Sequence, residues 1–290
     1  MDFIDAVWKS YDRFRVHPEG RQEQVSSLYP TGLYEGQDGL EYCFLPTKNI
    51  KQTEEDILEQ YQDIKVIDHS IMLCNEVYFT TKIEGAKTTI SRTIEIHNGK
   101  PVDHSNYFSE MMVQSSFRAT KYLNECHNII TMDSLLEMWN IIIDGCCENE
   151  DIRGDRFRTG FVQVGNHAGL HPDLVENAME MWVDYHNSDQ LCEHPFIKAA
   201  LLHLVFEMIH PFCDGNGRAG RLLMINYLIG QGLNKCKAVS FSKRIAASIH
   251  EYYNALTISE NAYGDCTPFI EYMMEVFLYT FFDANDNTTG

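Results

Sequence analysis

The chain has 290 residues, of which 44% are hydrophobic and 22% charged, the balance of an ordinary globular protein rather than of a disordered or fibrous chain. Its formal net charge of -19 argues against nucleic acid as the main partner, because such binding needs clustered Lys and Arg. The nine cysteines are odd in number and none is spaced C-x-x-C. We therefore expect reduced thiols in a cytoplasmic protein, not a disulfide framework or a zinc knuckle.

Membrane insertion and secretion are also not expected. The first residues are acidic where a signal peptide carries basic residues before an apolar run. The most apolar stretch, residues 269–282, contains two glutamates and is shorter than the roughly 20 apolar residues that a bilayer-spanning helix needs.

Apolar residues recur at helical spacing along most of the chain, which predicts an all-α fold. The predicted helices lie at 55–86, 105–125, 132–147, 173–187, 196–209, 218–231 and 243–258. Two short stretches favour strand: residues 93–96, and residues 159–164, which read as part of a hairpin. The first ~50 residues are rich in Gly and Pro, so they predict irregular structure packed on the helical body. We divide the chain into segments 1–68, 69–104 and 105–283.

The first motif along the chain is T-T-K-I-E-G, residues 80–85. Thr80 and Glu84 are four residues apart and so share one helical face. Gly85 suits the end of a helix. Taken alone, the segment reads as an exposed glutamate beside a glycine cap.

The segment with the clearest chemistry is H-P-F-C-D-G-N-G-R-A-G-R, residues 210–221. Gly215 and Gly217 permit backbone conformations in which consecutive N–H groups point at an anion, and the start of the next helix adds its positive end. Arg218 and Arg221 share a face of that helix, and guanidinium groups offer paired donors to phosphate oxygens. The sequence therefore predicts a polyphosphate site.

Two further residues supply the remaining parts of a nucleotidyl transfer. His210 can accept a proton from an attacking hydroxyl near neutral pH. Asp214 offers the single carboxylate that commonly holds Mg²⁺ together with substrate phosphates. A zinc site of His203, His210 and Cys213 is disfavoured, because the two histidines are seven residues apart rather than four.

The twelve residues match every defined position of H-P-F-x-[D/E]-G-N-G-R-x-x-R, the pattern of Fic domain proteins, and the chain resembles that family over about residues 69–282. R-T-G-F-V-Q-V-G from Arg158 resembles the family's hairpin flap, and E-Y-Y-N-A-L and G-D-C-T-P-F-I resemble later Fic segments. The resemblance implies a Fic helical bundle with a short β-hairpin flap, with 105–283 as the catalytic domain. The intact G-N-G-R-A-G-R argues against the reversed nucleotide of the related Doc kinases.

The resemblance also implies individual roles. His210 would be the general base, with Asn216 and Arg218 completing the catalytic set; Phe212 would anchor the loop, and Asp214 would hold Mg²⁺. The implied nucleotide-binding residues are Gly215, Asn216, Gly217, Arg218 and Arg221, with Val162, Val164, Tyr253 and Leu256 bordering the adenine. The flap, residues 158–167, would dock a target protein.

Residues 80–85 also match [S/T]-x-x-x-E-[G/N], the inhibitory-helix motif of this family. The resemblance implies that Thr80, Glu84 and Gly85 are inhibitory, and that Glu84 pairs with Arg221 in place of the γ-phosphate of ATP. Region 69–104 would then be the inhibitory-helix region.

Three functions follow as hypotheses. The first is an autoinhibited protein AMPylase that uses ATP and Mg²⁺ to modify a Ser, Thr or Tyr hydroxyl. The second removes AMP from a modified protein with Glu84 positioning the water. The third is a nucleotide-responsive module for partner binding with little catalysis. The expected partner is a protein rather than nucleic acid or a membrane. The sequence is also compatible with a homo-oligomer.

Overall fold

The structure is a computed structural model that describes residues 28–34, 41–65, 69–126, 129–147, 156–164, 167–262 and 264–286. These ranges contain eleven α-helices and two antiparallel β-hairpins. The helices are α1 Lys48–Asp63, α2 His69–Ile83, α3 Ile90–His97, α4 Tyr107–Glu125, α5 Met132–Ile143, α6 Pro172–Asn187, α7 Pro195–Ile209, α8 Asn216–Gly230, α9 Phe241–Ala247, α10 Ile249–Glu260 and α11 Thr267–Asp286. The strands are β1 Tyr29–Tyr34, β2 Glu41–Phe44, β3 Gln163–Val164 and β4 His167–Ala168.

The centre of the bundle is α7, which is apolar and buried on nearly all sides. A helix that is hydrophobic all round must be covered by neighbours, and here α8 and α11 pack along it. Helix α11 also packs against α1 and α10. The predicted all-α fold with a short hairpin is confirmed. None of the described helices has both the length and the apolar character needed to cross a bilayer.

The strand predicted at residues 93–96 is wrong, because this stretch lies inside α3. The side chain of Thr89 accepts a hydrogen bond from the N–H of Arg92 and so caps the helix. Thr93 and Ile96 are both buried, and their three-residue separation puts them on one helical face. The long helix predicted at 55–86 is two helices, α1 and α2.

The segment before residue 68 is more regular than predicted in its described part. Strands β1 and β2 form a hairpin, and β2 also bonds to the segment that precedes α11: the N–H of Cys43 donates to the carbonyl of Gly264 at 2.8 Å, and Cys266 N–H to the Cys43 carbonyl at 2.7 Å. Thr47 Oγ1 donates to Glu271 Oε1 at 2.7 Å. The hairpin is therefore joined to the helical body by hydrogen bonds.

Helix α2 is fixed to the body at its middle. The Glu76 carboxylate accepts hydrogen bonds from Ser240 Oγ at 2.9 Å, from the backbone N–H of Ser242 at 3.0 Å, and from Ser242 Oγ. These groups form the N-terminus of α9, where a carboxylate is favoured by the helix dipole. Burial raises the pKa of Glu76, and the Ser242 hydrogen bonds oppose that rise.

A buried ion pair ties α3 to α4. Arg92 Nε and Nη2 donate to the two carboxylate oxygens of Glu110 at 2.8 and 2.6 Å. Glu110 also accepts the N–H of Asp103 at 2.7 Å. Hydrogen bonds from Arg92 hold the pKa of Glu110 below its usual range, against the effect of burial.

We expect Glu110→Gln to lower the free energy of unfolding by about 2 kcal/mol, because charge-assisted bonds contribute about 1.5 to 3 kcal/mol each. Urea unfolding measures this. The matched control is Glu95→Gln, which removes an exposed partner of Arg92 and Lys100 and should cost clearly less, because exposed ion pairs contribute little. Since the folded pKa of Glu110 is depressed, its contribution is present above the unfolded pKa of about 4.3 and is lost as the pH falls. Equal losses for the two variants would contradict this ranking.

Candidate active site

The site begins where α7 ends. His210 has φ 50° and ψ 61°, a left-handed conformation that is uncommon for a residue with a side chain. Arg158 supports this turn: its guanidinium donates to the carbonyls of His210 at 2.7 Å and Ile209 at 3.1 Å, and also to those of Gly160 and Leu170. One arginine therefore joins the start of the predicted flap to the turn that carries His210.

The loop after His210 is held by aromatic stacking and by one amide. Phe212 is fully buried, and its ring stacks on Trp139 with centroids 4.6 Å apart and an interplanar angle of 2°. Trp139 Nε1 donates to the carbonyl of Asp214 at 2.9 Å. Asn216 Nδ2 donates to the Phe212 carbonyl at 2.8 Å, and the Phe212 N–H donates to Asn216 Oδ1 at 2.9 Å.

These contacts bear on the predicted role of Asn216 as a phosphate ligand. The Asn216 side chain is buried, and both its oxygen and its nitrogen are hydrogen-bonded to the backbone of Phe212. The side-chain amide therefore stabilises the loop. Asn216 is also the first residue of α8, and the first N–H groups of a helix have no partner within it. Its backbone N–H is therefore the part suited to an anion.

The two glycines of the motif are required for different reasons. Gly215 has φ 82°, a conformation that favours glycine. At Gly217 an added Cβ would collide with Glu84 Oε1 and lie 3.1 Å from Arg221 Nη1. We call the backbone of residues 215–217 the anion cradle. At Gly217 it is in close contact with the Glu84 carboxylate and the Arg221 guanidinium.

Arg221 is buried, and its guanidinium donates to the end of α2 and to Glu84, which follows it. Nε donates to Thr80 Oγ1 at 2.8 Å, Nη2 to the Thr80 carbonyl at 3.3 Å, and Nη2 pairs with Glu84 Oε1 at 2.5 Å. Burial is the largest single effect and lowers the pKa of the Arg221 guanidinium, but the charge and hydrogen bond of Glu84, together with Tyr252 and Glu207, outweigh it, so the net pKa is raised. Gly85, with φ 86°, follows the helix. The structure thus brings Thr80, Glu84 and Arg221 together.

Arg218 lies under the loop rather than on its surface. It is buried, and Nη1 donates to the Ile142 carbonyl at 3.0 Å and to Cys146 Sγ at 3.3 Å. Its Nη2 is 3.7 Å from Asp214 Oδ1, and its Nε is buried without a hydrogen-bond partner. Asp214 itself has a side chain that is 43% exposed. A buried guanidinium with an unpaired N–H next to an anion cradle fits phosphate binding.

The His210 ring has one nitrogen directed back at α7. Nδ1 lies 3.3 Å from the carbonyl of Glu207 and 3.9 Å from Glu207 Oε2. A carbonyl can only accept, so this contact favours the tautomer with the proton on Nδ1 and a lone pair on Nε2. That tautomer is the one a general base needs.

Sequence reasoning missed an acidic residue in this region. Glu207 is buried, and burial, opposed by Arg221 and reinforced by Glu84, raises its pKa to about 8. His203, one helical turn before Glu207, has its Nε2 3.0 Å from the Tyr252 hydroxyl oxygen. Burial, and to a smaller extent the charge of Arg221, lowers the pKa of His203 to about 3. The available signal was a lone acidic side chain within the otherwise apolar run of α7.

The residues predicted to border the adenine differ in exposure. Tyr253 is 46% exposed and its pKa is raised, first by burial and then by Glu84, so it lies on the Glu84 side of the site. Leu256 is partly buried against the core. The side chain of Val164 lies outside the described part of the structure, as do residues 165 and 166 of the flap.

Comparison with known proteins agrees with this geometry. Residues 120–228 match the model of the Fic/DOC family, a range that contains the whole loop of residues 210–221. The chain contains a Fic domain. It is 29% identical over 204 residues to "Protein adenylyltransferase fic-1" of Caenorhabditis elegans, covering 68% of this chain and 38% of that protein. It is 31% identical over 211 residues to "Protein adenylyltransferase Fic" of Drosophila yakuba, covering 69% and 39%.

Solved structures support the same fold. A Fic family protein from Desulfovibrio desulfuricans superposes with a TM-score of 0.72 at 22% identity, covering 84% of this chain and 76% of that one. Fic-1 of C. elegans superposes with a TM-score of 0.66 at 21% identity, covering 83% and 73%. The chain spans about two fifths of the length of the curated relatives it matches, so the likeness establishes the Fic domain and its fold.

We expect Asn216→Asp to destabilise the Fic domain by about 1 to 3 kcal/mol, because the substitution replaces the donor to the buried Phe212 carbonyl with a second acceptor. Thermal unfolding followed by circular dichroism measures the loss. Asn234→Asp is the control, since the exposed Asn234 amide donates a long 3.3 Å bond to the Gly232 carbonyl. If both substitutions shift the unfolding temperature equally, the loop does not depend on the buried amide.

Proposed function

We propose that this Fic domain transfers AMP from ATP to a hydroxyl of a protein, and that Glu84 restrains the reaction. The observation that carries the proposal is the contact of the buried Arg221 guanidinium with the partly exposed Glu84 carboxylate, next to Gly217. A buried guanidinium strongly requires an anionic partner. In this proposal the partner is Glu84 in the resting protein and the γ-phosphate of ATP in the active one.

The residues around the loop are suited to each part of this transfer. The hydroxyl oxygen of the target attacks the α-phosphorus, the bond from that phosphorus to the bridging oxygen of the β-phosphate breaks, and pyrophosphate leaves. His210 Nε2 takes the hydroxyl proton, while Nδ1 is fixed by the Glu207 carbonyl. The N–H groups at Asn216 and Gly217, with Arg218, would bind the α- and β-phosphates. The stacked rings of Phe212 and Trp139, and the hydrogen bond from Trp139 to the Asp214 carbonyl, would keep these donors in position.

Asp214 fits the role of the Mg²⁺ ligand. Its partly exposed carboxylate stands at the rim of the cradle, 3.7 Å from Arg218. The described residues contain no cluster of three or more metal-ligating side chains, which agrees with a metal held by one carboxylate and by substrate phosphates. When bound, Mg²⁺ would neutralise phosphate charge.

Target recognition is proposed for the flap, residues 158–167. Phe161 is 76% exposed, and its ring contacts His171 edge-on at 5.0 Å between centroids. An exposed aromatic ring on the flap is suited to contacting a bound peptide. All nine cysteines are free, which agrees with the cytoplasmic location that we propose.

The domain boundaries remain part of the proposal. Region 69–104 holds α2 and α3 and would act as the inhibitory region, while 105–283 holds the catalytic groups. The described part of 1–68 would support the body through its bonds to residues 264–271.

We expect Glu84→Gly to raise AMP transfer by about ten- to a hundredfold, because the lost charge-assisted pair is worth about 1.5 to 3 kcal/mol and each 1.4 kcal/mol is a factor of ten. Incorporation of the nucleotidyl group is measured by mass spectrometry and with ATP labelled at the α-phosphate. Lys82→Gly is the matched control, since it also places glycine in the last turn of α2 at an exposed site but leaves the carboxylate. Adding His210→Ala to Glu84→Gly should abolish transfer.

The same variants separate the other hypotheses. If Glu84 positions a hydrolytic water, Glu84→Gly abolishes removal of AMP from a modified protein instead of raising AMP transfer. If the chain is a nucleotide-responsive binding module, ATP binds to both the Glu84→Gly protein and its His210→Ala derivative while neither transfers AMP. Either result overturns the proposal.

A further inference from the structure

The side chain of Glu207 is a buried carboxyl group close to His210 and to the neighbour of Arg221, and it has no part in the scheme above, which uses only the Glu207 backbone carbonyl. It lies on α7, three residues before His210. Its Oε1 is buried without a hydrogen-bond partner, and an added Cβ on Gly220, the neighbour of Arg221, would lie 2.5 Å from that oxygen. A buried carboxyl oxygen left unsatisfied beside a functional site requires an explanation.

Several charged or titratable groups from four helices surround Glu207. They are His203 and His210 from the region of α7, Arg221 from α8, Glu84 from α2 and Tyr252 from α10. His203 is neutral because burial lowers its pKa to about 3, and burial keeps the Tyr252 pKa well above its usual value. The charge that favours ionisation of Glu207 is that of Arg221, and the charge that opposes it is that of Glu84.

Two carboxyl groups therefore share one guanidinium. Glu84 contacts Arg221 directly at 2.5 Å. Glu207 interacts with the same charge from the α7 side, without a hydrogen bond to it. Like charges near one cation oppose each other's ionisation, so an anion in the Glu84 position adds to the larger effect of burial in favouring the protonated form of Glu207.

We propose that Glu207 is a positioning residue for nucleotide binding: its protonated form leaves the charge of Arg221 to the terminal phosphate, and its ionised form competes for that charge. The inference rests on the proposed function, because it assumes that a polyphosphate takes the place of Glu84. It assigns to Glu207 no contact with the reacting atoms.

The direction in which pH changes nucleotide affinity depends on which form of the Glu207 carboxyl is present. With a pKa near 8, Glu207 is protonated below that pH and ionised above it. Polyphosphate binding favours the protonated form and so takes up a proton when the pH is high enough for free Glu207 to be ionised. If only the protonated form binds tightly, apparent affinity falls by about tenfold one pH unit above the pKa of the free carboxyl.

The test uses the full chain with Glu84→Gly, which removes the resident carboxylate, and an ATP analogue whose α,β-bridging oxygen is replaced by methylene so that no transfer occurs. Titration calorimetry with Mg²⁺, from pH 6.5 to 9 in two buffers of different ionisation enthalpy, gives the affinity and the number of protons taken up. Glu207→Gln in this background should keep its affinity as the pH rises, and should take up about half a proton less at the pH where the difference is largest.

Glu271→Gln is the matched control, because Glu271 is also a buried carboxyl whose pKa is raised by burial, but it bonds to Thr47 on another part of the body. It should leave proton uptake as in the Glu84→Gly parent. An infrared difference spectrum of the parent, recorded on adding the analogue above pH 8, gives a second measurement that needs no Glu207 variant. A gain in protonated carboxyl there supports the inference, and no gain overturns it.

The outcomes separate this inference from the proposed function. If the analogue binds with the same pH dependence and proton uptake whether residue 207 is Glu or Gln, the role of Glu207 is wrong while the nucleotide site stands. If the analogue does not bind to the Glu84→Gly protein at any pH, the nucleotide site and the role of Glu207 both fail. If it binds with proton uptake on Glu207 but ATP gives no AMP transfer, only the transferase proposal fails.

Discussion

The buried guanidinium of Arg221 is the constraint on which the site depends. Arginine stays charged in proteins, and a charge without solvent requires a counter-charge and satisfied donors. In this structure Thr80, in the last turn of α2, and Glu84, directly after the helix, supply both. The requirement explains why the end of α2 packs on the cradle and why residue 217 has no side chain. A nucleotide that enters the cradle must meet the same requirement with its own charge.

The positions around Arg221 could be predicted from the sequence because they are set by local spacing. Residues 210–221 form a turn and one helix, and Thr80 and Glu84 are one helical turn apart. The mostly helical fold followed from apolar periodicity in the same way. The sequence pattern does not give the distance between residues that are far apart in the chain. The pair of Glu84 and Arg221 was therefore expected only from the resemblance to Fic domain proteins.

What the sequence did not predict depends on specific contacts, some of them long-range, that the local residue pattern does not show. The hairpin of β1 and β2 is stabilised by bonds to residues 264–266, more than 200 positions away, so Gly and Pro content alone pointed to irregular structure. The T-I-E-I stretch of α3 alternates like a strand, but the Thr89 cap and tertiary packing favour helix. Asn216 is described by the motif as a ligand, yet its amide is engaged by the Phe212 backbone. Glu207 gave no local signal beyond being the acidic residue in an apolar helix.

The attachment of Glu76 to the start of α9 limits which part of α2 can move, and therefore how fast Glu84 can leave Arg221. Because the middle of α2 is held by Ser240 and Ser242, we expect movement to be largest in the last turn of α2 and at Glu84, which follows it. Clearing the cradle then requires a side-chain rotation or a fraying of one helical turn, and such motions take picoseconds to microseconds. Movements of whole domains are slower, in the microsecond to millisecond range. Under the proposed function, the rate at which Glu84 leaves Arg221 would be set by the strength of one ion pair rather than by the displacement of a domain.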